Sequence, residues 1–224
     1  MPLLIRTVGD WGGAERANVA AVAQSVADAF PVFDDVATQI LLEPVARDDD
    51  SPITLFEPTP AGEIVVRLNV RGNLWARLAY QFAHELCHVT ADPTTFVLDR
   101  FTWIEEALCE TASLFALRAM ARTWVEAPPY PNWRDYAPSL ASYAAERMDD
   151  PAHTLPDGVR FHDWLRERLP TLEAHPGERA LNTVIAKELL PVFENDPSAW
   201  LAVRELHTRR PDLVNNLAAI LGIA

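Results

Sequence analysis

The chain has 224 residues, with 19 Lys+Arg against 32 Asp+Glu and a formal net charge of −13. That length suits one domain with a core large enough to need no disulfide staples, and the two cysteines, Cys87 and Cys109, are too few for a disulfide framework. The acidic balance argues against nucleic acid and against anionic membrane surfaces as partners, because both demand a basic face. No apolar run approaches the roughly 20 residues of a membrane helix. Met1–Arg6 shows no basic region leading into an apolar stretch, so a cytoplasmic protein is expected.

Residues 1–72 mix strand and helix signals. Leu3 to Val8 is a short apolar run. Ala14 to Phe30 carries Val19, Val22, Val26 and Phe30 at helical spacing, and Pro31 ends it. Val36 to Val45 and Ile53 to Phe56 read as strands around the turn-forming Asp48-Asp49-Asp50-Ser51-Pro52. Glu63 to Val70 is the clearest strand, with Ile64, Val66, Leu68 and Val70 on one face.

From Asn73 onward the pattern is helical. One helix is expected from a cap at Asn73 to Thr90, with Leu74, Leu78, Phe82, Leu86 and Val89 on one side. A turn at Asp92-Pro93 leads to a second helix over 102–123, with Thr102 as cap. Shorter helices are expected near 139–148, 160–169, 177–194, 197–209 and 212–221, punctuated by prolines. The class is α+β in one domain: a mixed N-terminal part (1–72), two central helices (73–126) and a helical C-terminal part (127–224).

The first central helix contains His84-Glu85-Leu86-Cys87-His88. Residues four apart lie one turn above each other, so both imidazoles can reach a single ion. Neutral imidazole suits Zn²⁺. Glu85, beside His84, can address a water at such an ion, as a general base must. The neighbours Tyr80, Phe82, Ala83, Leu86 and Val89 are mostly apolar, and burying two His and a Glu among them without a partner is costly.

A catalytic zinc site needs a third protein ligand and an open fourth position. The second helix offers Trp103-Ile104-Glu105-Glu106-Ala107-Leu108-Cys109-Glu110. Glu106 is the expected third ligand. Glu110, one turn on, is expected to accept the free N–H of His84. Glu105 is the competing ligand, on a face with Leu108, Cys109 and Ala112. Cys87 and Cys109 are expected to pack between the two helices as small buried hydrophobes and not to ligate.

His84-Glu85-x-x-His88 followed by Trp103-x-x-Glu106-Ala107-x-x-Glu110 resembles the gluzincin clan of zinc metallopeptidases, which includes thermolysin-like enzymes, over about residues 60–120. The resemblance implies a zincin-like α+β fold: a small sheet whose edge strand lines the cleft, two zinc-binding helices and a helical subdomain. Glu63 to Val70 would be that edge strand, with a peptide or protein substrate adding alongside it. It implies Zn²⁺ as cofactor, with Glu106 as the ligand and Ala107 where many members carry Gly. The Gly-x-Met-Glu-Asn motif of the clan's aminopeptidases is absent, which points away from aminopeptidase activity. The clan stabilises the oxyanion with a Tyr or His. No motif fixes that residue here, and among Tyr130, Tyr136, Tyr143, His153, His162 and His175 the candidate is Tyr143; His207 reads as a helix C-terminal residue. The resulting expectation is a zinc metallopeptidase. Its alternatives are a non-catalytic zinc-stabilised binding protein and a regulatory or toxin-type protease with one partner substrate.

Overall fold

The structure, a computed structural model, describes residues 3–31, 38–91 and 101–206. It is α+β, with a four-stranded sheet in the N-terminal part and helices elsewhere. The strands are β1 (Leu4–Thr7), β2 (Gln39–Pro44), β3 (Ile53–Leu55) and β4 (Ile64–Leu68), in the order β1-β2-β4-β3. Helix α1 (Arg16–Ala27) connects β1 to β2, which run parallel, so the sheet opens on one crossover unit. β2 and β4 are also parallel, in the register Ile40↔Ile64 to Pro44↔Leu68. β3 pairs antiparallel with β4, with Ile53 opposite Arg67 and Leu55 opposite Val65.

That order corrects one expectation. The strand within Glu63 to Val70 is not at the edge: β4 is paired on both sides, and the edge strand on that side is β3. Its central place explains why Val65, on the face read as mostly polar, is buried together with Val66 and Leu68. Where the chain leaves β1, Gly9 has φ +82°, and a Cβ there would lie 2.6 Å from Cδ of Pro44. Only glycine meets both demands.

Two long helices follow, α2 (Trp75–Thr90) and α3 (Thr102–Thr123). Neither is capped as the sequence suggests. The residue preceding α2 is Leu74, with no side-chain cap, and the N–H of Ala76 instead donates to the Tyr136 hydroxyl at 3.2 Å. Thr102 lies inside α3, with Phe101 at the cap position. α2 buries Leu78, Phe82 and Leu86, as its apolar stripe dictates. α3 is buried on nearly every side, from Thr102 to Met120, because α2, α4 (Ala137–Asp149) and α6 (Arg179–Asn195) surround it. Its small polar residues bond to backbone: Thr111 donates to the Ala107 carbonyl, and Ser113 donates to the Tyr80 carbonyl at 2.9 Å, tying α3 to α2.

The prolines punctuate less than expected. α5 (Phe161–Ala174) continues through Pro170, and α6 continues through Pro191 to Asn195. Each helix buries apolar residues on both sides of its proline, Leu165 and Leu172 in α5 and Leu190 and Phe193 in α6, so packing holds the turn that loses an N–H. The helix expected over 197–209 is a 3₁₀ segment, Pro197–Glu205, whose first turn is capped by the Asp196 side chain. The turn at Asp92-Pro93, His207 and the helix expected over 212–221 lie outside the described residues. Among the described residues, no helix is long and apolar enough to cross a membrane.

Candidate metal centre

α2 and α3 form the floor of a cavity of about 480 Å³. One wall is β3 and its flanks, with Pro52, Ile53, Thr54 and Phe56; Arg179, the first residue of α6, also lines the cavity. The wall before β3 is held by Asn69, whose amide donates to the carbonyls of Asp48 and Asp50, and Gln81 on α2 accepts from the Asn69 N–H at 2.9 Å.

His84, Glu85, His88 and Glu106 all line this cavity. The i, i+4 spacing stacks the two imidazoles, with ring centroids 5.1 Å apart. Nε2 of His84 is 3.4 Å from one oxygen of Glu106, and Nε2 of His88 is 3.7 Å from the other. Both imidazoles therefore present Nε2 to the same carboxylate. Behind them, Nδ1 of His88 is hydrogen-bonded to Oε1 of Glu105 at 2.7 Å. Nδ1 of His84 lies 3.9 Å from Glu110, within ion-pair range but beyond hydrogen-bond length.

The two adjacent glutamates thus do different things. Glu106 faces the cavity with a quarter of its side chain exposed, and Glu105 is 1% exposed behind His88. The sequence weighed Glu105 only as a rival ligand and missed its contact with His88. The signal was there: position 105 falls on a face that buries a carboxylate only if it is paired. Glu110 is anchored by other groups. It accepts from the Tyr80 hydroxyl and from Thr183 of α6 at 3.0 Å. Burial, reinforced by the charge of Glu110, pushes the Tyr80 phenol well up, so Tyr80 remains the donor of that bond.

Glu85 is 5% exposed and is oriented by β3: the Thr54 hydroxyl contacts its Oε2 at 2.8 Å and its backbone carbonyl at 3.2 Å. Oε1 has no hydrogen-bond partner among the described residues. Three carboxylates crowd His88. Burial depresses its pKa, but the bond to Glu105 and the charges of Glu106, Glu85 and Glu105 outweigh that and raise it to about 9. Burial likewise opposes ionisation of Glu106, yet the hydrogen bond and charge of His84 hold its carboxyl below the usual range.

Donor atoms of His84, His88 and Cys109 all lie within 4.8 Å of one another, so this trio could hold a metal ion. Cys109 is fully buried and its thiol interacts with that of Cys87. Burial, the Cys87 contact and the charges of Glu106 and Glu105 push the Cys109 thiol well up. A metal ligand must be a thiolate, whereas Glu106 is already an anion. The donor set as a whole suits a divalent metal: two imidazoles, an ionised carboxylate, and a carboxylate hydrogen-bonded to His88.

Tyr143, singled out for the oxyanion, does not line the cavity. It stands against Tyr80, with ring centroids 5.8 Å apart, and its hydroxyl accepts from Arg147 at 2.9 Å. None of the other residues weighed with it lines the cavity either. Tyr136 caps α2, Tyr130 packs on Trp133, His153 bonds the Arg147 carbonyl and His162 pairs with Asp163. The cavity instead has Arg179, which the sequence did not mark because it sits 73 residues beyond Glu106 in no recognisable motif.

No protein-family model, curated protein or solved structure matches this chain.

Proposed function

We propose that this chain is a zinc-dependent metallopeptidase of zincin-like fold, with His84, His88 and Glu106 as metal ligands and Glu85 as general base. The observation that carries the reading is the convergence of both Nε2 atoms on the Glu106 carboxylate in the floor of an open cavity, beside a Glu85 held by a strand-borne hydroxyl. Zn²⁺ bound there would lower the pKa of a coordinated water to about 7 and polarise a substrate carbonyl. The rest of the chemistry falls to the protein. Glu85 takes the proton of the attacking water and delivers it to the leaving amine. Thr54 fixes the carboxylate for that transfer. Glu105 holds His88 in the tautomer that offers Nε2. The exposed edge of β3 beside the cavity offers backbone groups to an extended peptide.

Glu85→Gln keeps the shape of the site and removes the base. The expected result is unchanged zinc content with peptide hydrolysis reduced by about 100-fold or more. Hydrolysis surviving that change would remove Glu85 from its role.

The proximity of Cys109 favours a second reading, a closed, non-catalytic zinc site that clamps α2 to α3. The two readings part on ligand identity. If Glu106 is the ligand, Cys109→Ser retains one zinc per chain and Glu106→Gln loses it, by metal analysis of purified protein. The reverse pattern supports the closed site.

A further inference from the structure

We infer that Arg179 is a specificity-determining residue that binds a carboxylate of the substrate, so that the cavity takes acidic peptides. The inference rests on the peptidase reading for the word "substrate", but the observation behind it is independent. Arg179 lines the cavity, and among the described residues its guanidinium makes no ion pair within 4 Å, although its charge reaches Glu106 and Tyr80 across the cavity. Other arginines do pair: Arg6 with Glu63 and Arg67 with Glu43, each at 2.7 Å, Arg118 and Arg122 with Glu194, and Arg160 with Asp163. In a chain of net charge −13, Arg179 is the one Arg or Lys among the residues that line this cavity.

The chemistry selects the ligand. A guanidinium is a planar fork of donors that matches a carboxylate bidentately. The charges around the metal ligands, Glu85 and Glu106, are both negative and would repel an acidic substrate that had no cation to meet it. Arg179 enters from α6, the element whose Thr183, one turn on, grips Glu110. Its backbone is thereby fixed to the floor of the site while its side chain is exposed to solvent. Pro52, Ile53, Phe56 and Tyr80 supply apolar walls for the remainder of the ligand. The carboxylate has two possible sources, the C-terminus of a peptide or an Asp/Glu side chain near the scissile bond.

Binding of short N-acetylated peptides to the full chain, stripped of metal, tests this by calorimetry. The set pairs a free C-terminus with its amide, and, in amidated peptides, Asp with Asn. Wild type should bind one acidic member about ten-fold or more tighter than its neutral partner. Discrimination at the C-terminus identifies the terminal carboxylate, and discrimination between Asp and Asn identifies a side chain. Arg179→Met should abolish the difference, and Arg179→Lys should retain only part of it. Equal binding of acidic and neutral peptides by wild type, or equal weakening of both by Arg179→Met, would overturn the assignment. Hydrolysis of the same peptides by zinc-loaded wild type is read separately. Carboxylate discrimination without hydrolysis leaves Arg179 its role and removes the peptidase reading, while hydrolysis without discrimination does the opposite.

Discussion

Glu105 and Glu106 are neighbours in the chain, yet one stands behind His88 and the other in front of it. Successive helical positions differ by about 100° around the axis, so adjacent glutamates reach opposite sides of one imidazole. This division was only half legible. The face of α3 that turns Glu106 to the cavity could be read from i, i+4 spacing, but which ring nitrogen each carboxylate meets depends on the rotation of α2 against α3, and packing sets that. Glu105→Gln should therefore lower zinc affinity by about 10- to 100-fold while leaving one zinc per chain at saturation, measured by competition with a chelator. Loss of all zinc would instead make Glu105 a ligand. Tyr143 shows the converse. Its residue type suited an oxyanion donor, but its position on α4 spends its hydroxyl on Arg147, and nothing local in the sequence reveals that partner.

Among the elements, α3 carries the most. It packs against α2, α4 and α6, and its buried positions run round the helix with no single apolar stripe. Sequence periodicity is strongest where one face is wet and fades where every face is covered, so the extent of α3 was legible while its neighbours were not. β3 was found as a strand but not as the edge, because strand order is set by long-range pairing and not by residue pattern. Leu114 is fully buried in the middle of α3. Leu114→Ala should cost about 3 kcal/mol of stability in denaturant unfolding. A cost near zero would mean that the helix is less enclosed than its burial indicates.

On the scale of the whole molecule, the candidate metal centre couples to stability through His88. Without metal, its folded pKa is about 9 against the ordinary histidine value of about 6.5, raised by the carboxylates around it despite burial. A raised folded pKa stabilises the fold fully below about pH 6.5, and the contribution disappears as pH climbs through about 9. Metal-free protein should thus lose up to about 3 kcal/mol of unfolding free energy across that window. Zinc-loaded protein should not, since the ligating nitrogen then carries no proton, and zinc uptake near pH 7 should release protons. Denaturant midpoints at several pH values, with and without zinc, check this; identical profiles would contradict the charge arrangement around His88.

Glu110 is gripped by Tyr80 from one helix and by Thr183 from another, the latter 73 positions further along the chain. That span imposes an order on biosynthesis. A nascent polypeptide whose residue 183 still sits in the ribosomal tunnel has made both α2 and α3 but lacks one of the two side chains that hold Glu110 in place. The full set of bonds around Glu110, and with it the tie between α2, α3 and α6, is therefore completed only once α6 has emerged, after most of the chain has been translated.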